Sequence, residues 1–174
     1  MRRHFVLSAC LSLVCLGLLA GVASAQRSTP FDKGRVRLSL GGGSATPLGG
    51  DTSVIFVGLG AGYFIADGLE IGLDAEHYFN ADPSQSSISP TARYVLSLGG
   101  VNPYVGVFYR NVFLGEPFED LSSVGARGGI ILLQGGLGFF GLGAVYEQYT
   151  SGCEENNLES CDRVYPELSF GVAF

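Results

Sequence analysis

The twelve residues from Arg163 to Phe174 read RVYPELSFGVAF, and their alternation limits what the chain can fold into. Val164, Leu168, Phe170, Val172 and Phe174 fall on every second position, with Pro166 early in the run. Arg163, Tyr165, Glu167, Ser169, Gly171 and Ala173 fill the positions between. This is a strand with one apolar face and one polar or small face. The same period recurs in eight segments, at about 35–45, 52–65, 68–79, 89–98, 101–113, 121–133, 136–149 and 163–174. Several exceed the roughly 9–11 residues that a tilted strand needs to cross hydrocarbon. The fold expected is all-β, an eight-stranded antiparallel up-and-down transmembrane barrel.

The N-terminus belongs to export. Arg2 and Arg3 precede an apolar run from Phe5 to Leu19, and Ala23-Ser24-Ala25 offers small residues ahead of Gln26. Residues 1–25 therefore read as a cleaved secretory signal peptide and 26–174 as one barrel domain. Leu7-Ser8-Ala9-Cys10 matches a lipoprotein cleavage box by letter, but it sits too early to leave a hydrophobic segment before it. Losing Arg2 and Arg3 takes the net charge from -6 to -8, a poor balance for binding nucleic acid. After the leader no 18-residue apolar run remains, so no transmembrane helix is expected and a membrane span must be a closed barrel. Cys153 and Cys161 lie in the polar segment 150–162 and should form one disulfide in an oxidising compartment. Zinc would need more ligands, and the single mature histidine, His77, is far away in sequence.

The connections alternate in length. Residues 66–68, 99–100 and 134–135 read as tight turns, while 46–51, 80–88, 114–120 and 150–162 are longer. With an even strand count, short turns and both mature termini share one end. The faces follow from cost: a charge on the lipid side at the bilayer midplane is unfavourable by roughly 2–4 kcal/mol. Arg37, Arg93, Arg110 and Arg127 should therefore face inward beside Glu70, Asp74, Glu76, Glu147 and Glu167. Buried charges persist when paired and hydrogen-bonded, so an internal salt-bridge network is expected rather than an ion pathway. Gly58, Gly60, Gly141 and Gly143 would make room for long groups opposite. Tyr63, Tyr94, Tyr109, Tyr146, Phe79 and Phe174 fall on the outward face, as aromatic girdles do. A soluble secreted barrel would reverse the faces, with apolar residues inside.

Other motifs carry less. His77 sits outward near the long-loop end, but the residue two positions on is Phe79, not serine. Ser84, Ser86 and Ser87 fall in the next loop, where nothing places them beside a base. Gly41-Gly42-Gly43 and Gly58-Leu59-Gly60-Ala61-Gly62 lie within or beside strands with no helix following, and read as packing glycines rather than phosphate loops. The acidic loop with Glu154, Glu155, Glu159 and Asp162 lacks calcium-motif spacing. No cofactor and no metal site is expected.

With its leader, eight alternating segments, unequal turns and Phe174, the chain resembles the small eight-stranded bacterial outer-membrane β-barrel proteins of the OmpA transmembrane-domain, OmpX-like and OmpW-like superfamily. The resemblance implies an outer-membrane location with long loops extracellular and both mature termini periplasmic. It implies contact with outer-membrane lipids and lipopolysaccharide. It also implies insertion by the barrel-assembly machinery, which would read the last strand through Phe170, Val172 and Phe174. A monomer is expected, and cell-wall tethering is not, since no periplasmic domain follows the last strand. The expectation is a non-enzymatic barrel with a charge-plugged lumen and a structural or surface-presenting role. A narrow porin-like or hydrophobic-solute channel is the alternative, and a lipid-modifying enzyme a more distant one.

Overall fold

Alternation works as a fold signal here because lipid and lumen sit on opposite sides of one wall. In the computed structural model, which describes residues 29–45, 54–79, 84–115, 119–134, 137–153 and 160–174, that wall is a closed barrel of eight strands. The expected leader, residues 1–25, lies outside the described residues. The strands are β1 (Val36–Ala45), β2 (Val54–Ala66), β3 (Leu69–Tyr78), β4 (Gln85–Val95), β5 (Val101–Leu114), β6 (Leu121–Leu133), β7 (Gly138–Ser151) and β8 (Asp162–Ala173). Each pairs antiparallel with its neighbours in sequence, and β8 closes on β1 from Arg37↔Ala173 to Gly42↔Leu168. Backbone bonds between Val36 and Phe174, 2.8 and 2.9 Å, extend that seam. The ladders pair backbone donors and acceptors within the wall, as a hydrocarbon environment demands.

The β2–β3 turn needs glycine. Gly68 has φ +74°, and a Cβ there would run into the carbonyl oxygen of Val95. Its N–H donates to Phe31 O at 2.8 Å. In the β4–β5 connection the buried Asn102 does the organising: its side chain accepts from Leu98 N at 3.0 Å and donates to Gly99 O at 3.0 Å and Ile131 O at 3.3 Å.

The fourth segment departs from its expected bounds. It runs 85–95 rather than 89–98, and residues 96–100 make the connection instead of a tight turn at Gly99-Gly100. Gln85, Ser87, Ser89, Thr91 and Arg93 all point into the lumen, where polar side chains belong. A hydroxyl-rich run of this kind reads as loop by composition. Pro90, without an N–H, sits in the stretch where the β4–β5 ladder is interrupted between Ile88↔Asn111 and Thr91↔Phe108.

Outside, the wall is apolar all round, with Val164 exposed at 71% and Ile55 at 66%. Such a surface is stable against lipid hydrocarbon, not water. Inside, an apolar cluster lies toward each end. Phe31, Phe64, Val95, Tyr104, Ile131 and Phe139 cluster at the short-turn end. Val112, Leu121, Tyr149 and Cys153 cluster at the long-loop end.

Candidate functional site

Between those clusters the lumen holds charge in two groups. Nearer the long loops, Arg110 on β5 spends all three nitrogens: Nε on Ser89 Oγ at 3.0 Å, Nη1 on Glu147 Oε2 at 3.1 Å and Tyr165 OH at 2.9 Å, and Nη2 on Glu76 Oε1 at 3.0 Å. Glu147 on β7 is the hub. Its Oε1 accepts from Ser123 Oγ at 2.5 Å, and its Oε2 also accepts from Arg163 Nε at 3.0 Å, Arg163 Nη2 at 2.8 Å and Tyr165 OH at 3.2 Å. Two guanidiniums thus face two carboxylates, and the group is neutral.

Nearer the short turns, Arg37 on β1 donates from Nε to Glu70 Oε1 at 2.8 Å, from Nη2 to Asp74 Oδ1 at 3.5 Å, and from Nη1 to Ser39 Oγ. Arg127 Nη1 on β6 bridges Asp74 Oδ2 at 3.0 Å and Glu167 Oε1 at 3.1 Å. Arg93 faces the same space and lies over the Tyr104 ring at 5.2 Å. Arg37, Arg93 and Arg127 against Glu70, Asp74 and Glu167 again sum to zero. Among the described residues no ion pair joins the two groups. The ring of Phe108 takes a guanidinium from each group, with Arg110 at 4.8 Å and Arg127 at 4.9 Å from its centroid.

Glycines make this packing possible. A Cβ at Gly60 would come within 2.5 Å of Asp74 Oδ1, and one at Gly62 would collide with the Glu70 carboxylate. One at Gly143 would meet the Tyr104 hydroxyl. The space left over is a cavity of about 20 Å³ bordered by Arg37, Arg93, Arg127, Asp74, Glu76 and Glu167. That is about one water, since a cavity needs roughly 10–15 Å³ to hold one.

All nine charges read from the sequence lie on the lumen side of the wall. Eight of them join ion pairs, and Arg93 joins none. Arg163 joins them on Glu147, and its alternation in phase with Tyr165 and Glu167 makes its inward face legible in the sequence. The hydroxyl partners Ser89, Ser123, Tyr78 and Tyr165 were missed, because phase assigns a face but not a partner across the barrel. Cys153 and Cys161 form the disulfide, Cα atoms 5.8 Å apart, with Cys153 buried in the long-loop end layer. Phe170, Val172 and Phe174 project outward, and Phe170 packs against Phe140 with centroids 4.9 Å apart.

The placement of the serines is corrected. Ser86 and Ser87 lie on β4, not in a loop, and Ser86 Oγ is 2.9 Å from His77 Nδ1 on the outer wall. The His77 ring also meets the edge of Phe79 at 5.0 Å. Ser87 points into the lumen. Among the described residues no group of three or more His, Cys, Asp or Glu is placed to hold a metal ion.

No family model matches the chain, and no curated protein matches it. Solved structures do. Neisserial surface protein A aligns with a TM-score of 0.61 at 19% identity, over 81% of this chain and 96% of that one. The N-terminal β-barrel domain of OprF from Pseudomonas aeruginosa gives 0.56 at 18% identity, over 82% and 98%. The outer membrane protein OprG of the same organism gives 0.53 at 15% identity, over 84% and 99%. The fold is that of the small bacterial outer-membrane barrels.

Proposed function

We propose that this protein is a non-enzymatic integral outer-membrane barrel whose lumen is plugged by paired charges, and that it stabilises the envelope or presents its loops at the surface. The observation that carries the reading is the filled lumen among the described residues: two neutral ion-pair groups, an apolar layer across the short-turn end, and a cavity of about 20 Å³ between the charges. A conduit needs a continuous polar path, and the short-turn layer interrupts one. The long loops face the exterior and the short turns the periplasm. Lipid and lipopolysaccharide cover the apolar wall, the assembly machinery reads Phe170, Val172 and Phe174 on β8, and the closed wall leaves no free edge to recruit a second subunit.

Two measurements test this. An epitope placed between Cys153 and Cys161 should be labelled on intact cells, and one in the 96–100 connection only after permeabilisation. The reverse pattern would overturn the orientation. Proteoliposomes should show no swelling in small sugars above empty vesicles; swelling would move the channel reading ahead.

A further inference from the structure

The segment before β1 has no period, yet it is firmly built. Thr29 and Asp32 close a small turn, with Thr29 N on Asp32 Oδ2 at 2.8 Å and Thr29 Oγ1 on Asp32 Oδ1 at 2.6 Å. Lys33 N donates to Asp67 Oδ1 at 2.8 Å, tying the segment to the β2–β3 turn. Gly34 N reaches Phe64 O at 2.8 Å and Gly68 N reaches Phe31 O at 2.8 Å. These bonds fold the chain back over the short-turn mouth and drop one side chain into it.

That side chain is Phe31, only 1% exposed. It meets Phe64 with ring centroids 5.8 Å apart. Its cluster draws Phe64 from β2, Val95 from β4, Tyr104 from β5, Ile131 from β6 and Phe139 from β7. Strands on different sides of the barrel therefore converge on a residue that belongs to none of them. Directly beyond lie Arg37 and Glu70, at 2% and 0% exposure. A polar lumen with glycine-lined walls would admit water from this mouth if the ring had an open centre.

We infer that Thr29–Gly34 is a tethered stopper, with Phe31 as its head, sealing the lumen at the short-turn end. The inference rests on the plugged-barrel reading and adds a removable part to it. The wall contributes a ring, and a separate segment fills the hole in that ring. The hydrogen bonds of the tether all lie at the mouth, so the stopper can be weakened without disturbing the strand ladders.

The test is thiol accessibility. Ser169 is an inward residue bordering the lumen cavity and makes no ion pair, so Ser169→Cys is a near-isosteric reporter. The variant is purified from membranes with the Cys153–Cys161 disulfide intact, and the parent protein sets the background. A small charged methanethiosulfonate should label Cys-substituted protein slowly when Phe31 is present. Adding Phe31→Ala should raise the labelling rate at least tenfold, while Phe31→Leu, which keeps most of the volume, should leave it slow. Heat-modifiable gel mobility checks that each variant is folded. If Phe31→Ala does not fold, Asp32→Ala, which opens the Thr29–Asp32 turn and leaves the ring intact, should accelerate labelling in the same direction. Slow labelling in both folded variants would overturn the stopper and leave the plugged barrel standing. Fast labelling with Phe31 in place would overturn both.

Discussion

The two halves of the lumen carry the same balance of charge but are not packed in the same way. Near the long loops, Arg110 and Arg163 converge on Glu147, and aromatic hydroxyls and serines complete its shell. Each half still leaves buried polar atoms without a partner, Glu76 Oε2, Tyr149 OH and Arg163 Nη1 in the first and Glu70 Oε2, Glu167 Oε2, Arg93 Nε and Arg127 Nε near the short turns, but the cavity borders the second. The cavity lies there because of side-chain size. Tyr78, Tyr165 and Phe56 fill the first region, whereas Gly58, Gly60, Ser39 and Ser169 line the second. Neutrality is thus a requirement that both halves meet. Full hydrogen bonding is reached in neither half, and the small residues of the second leave it room for water.

The contrast is sharpest at Glu147. Its removal strands two buried guanidiniums, so Glu147→Ala should cost about 3–5 kcal/mol, the range for breaking a buried ion pair by deleting one partner. Urea unfolding in lipid vesicles, read by gel mobility, measures it. Reduction or Cys153→Ser opens a disulfide of sequence separation 8 beside the same half. The loop-entropy relation puts that loss at about 2.5 kcal/mol. In the looser half, Gly62→Ala forces a methyl against the Glu70 carboxylate and should cost about 1–3 kcal/mol by overpacking. Arg93→Met should be mildest. Its guanidinium is held by a ring face rather than a carboxylate, so no direct ion pair is broken, but the half is left one positive charge short; the loss of the desolvated cation–π contact should cost about 1–2 kcal/mol, below the cost of Glu147→Ala. If Arg93→Met costs as much as Glu147→Ala, the two halves do not differ as described.

These partners show what alternation can and cannot carry. It located all eight strands and the inward face of each charge, because lipid on one side and lumen on the other impose a period of two. It mislaid the start of β4, where Gln85, Ser87 and Ser89 are polar for the lumen's sake. It gave no hint of Phe31, which lies before any strand. It also named no pair, since Arg110 reaches Glu76 two strands away and Arg127 reaches Asp74 three strands away. Such contacts depend on barrel closure and on the glycines that let long side chains cross.

The central claim is that the lumen is filled and does not conduct. Single-channel recording of the folded protein in planar bilayers tests it most directly, with Arg110→Ala and Glu76→Ala alongside. The account predicts no unitary steps from the wild type at either polarity, with folding verified on the same sample by heat-modifiable mobility. Reproducible wild-type steps whose size changes in either variant would contradict it.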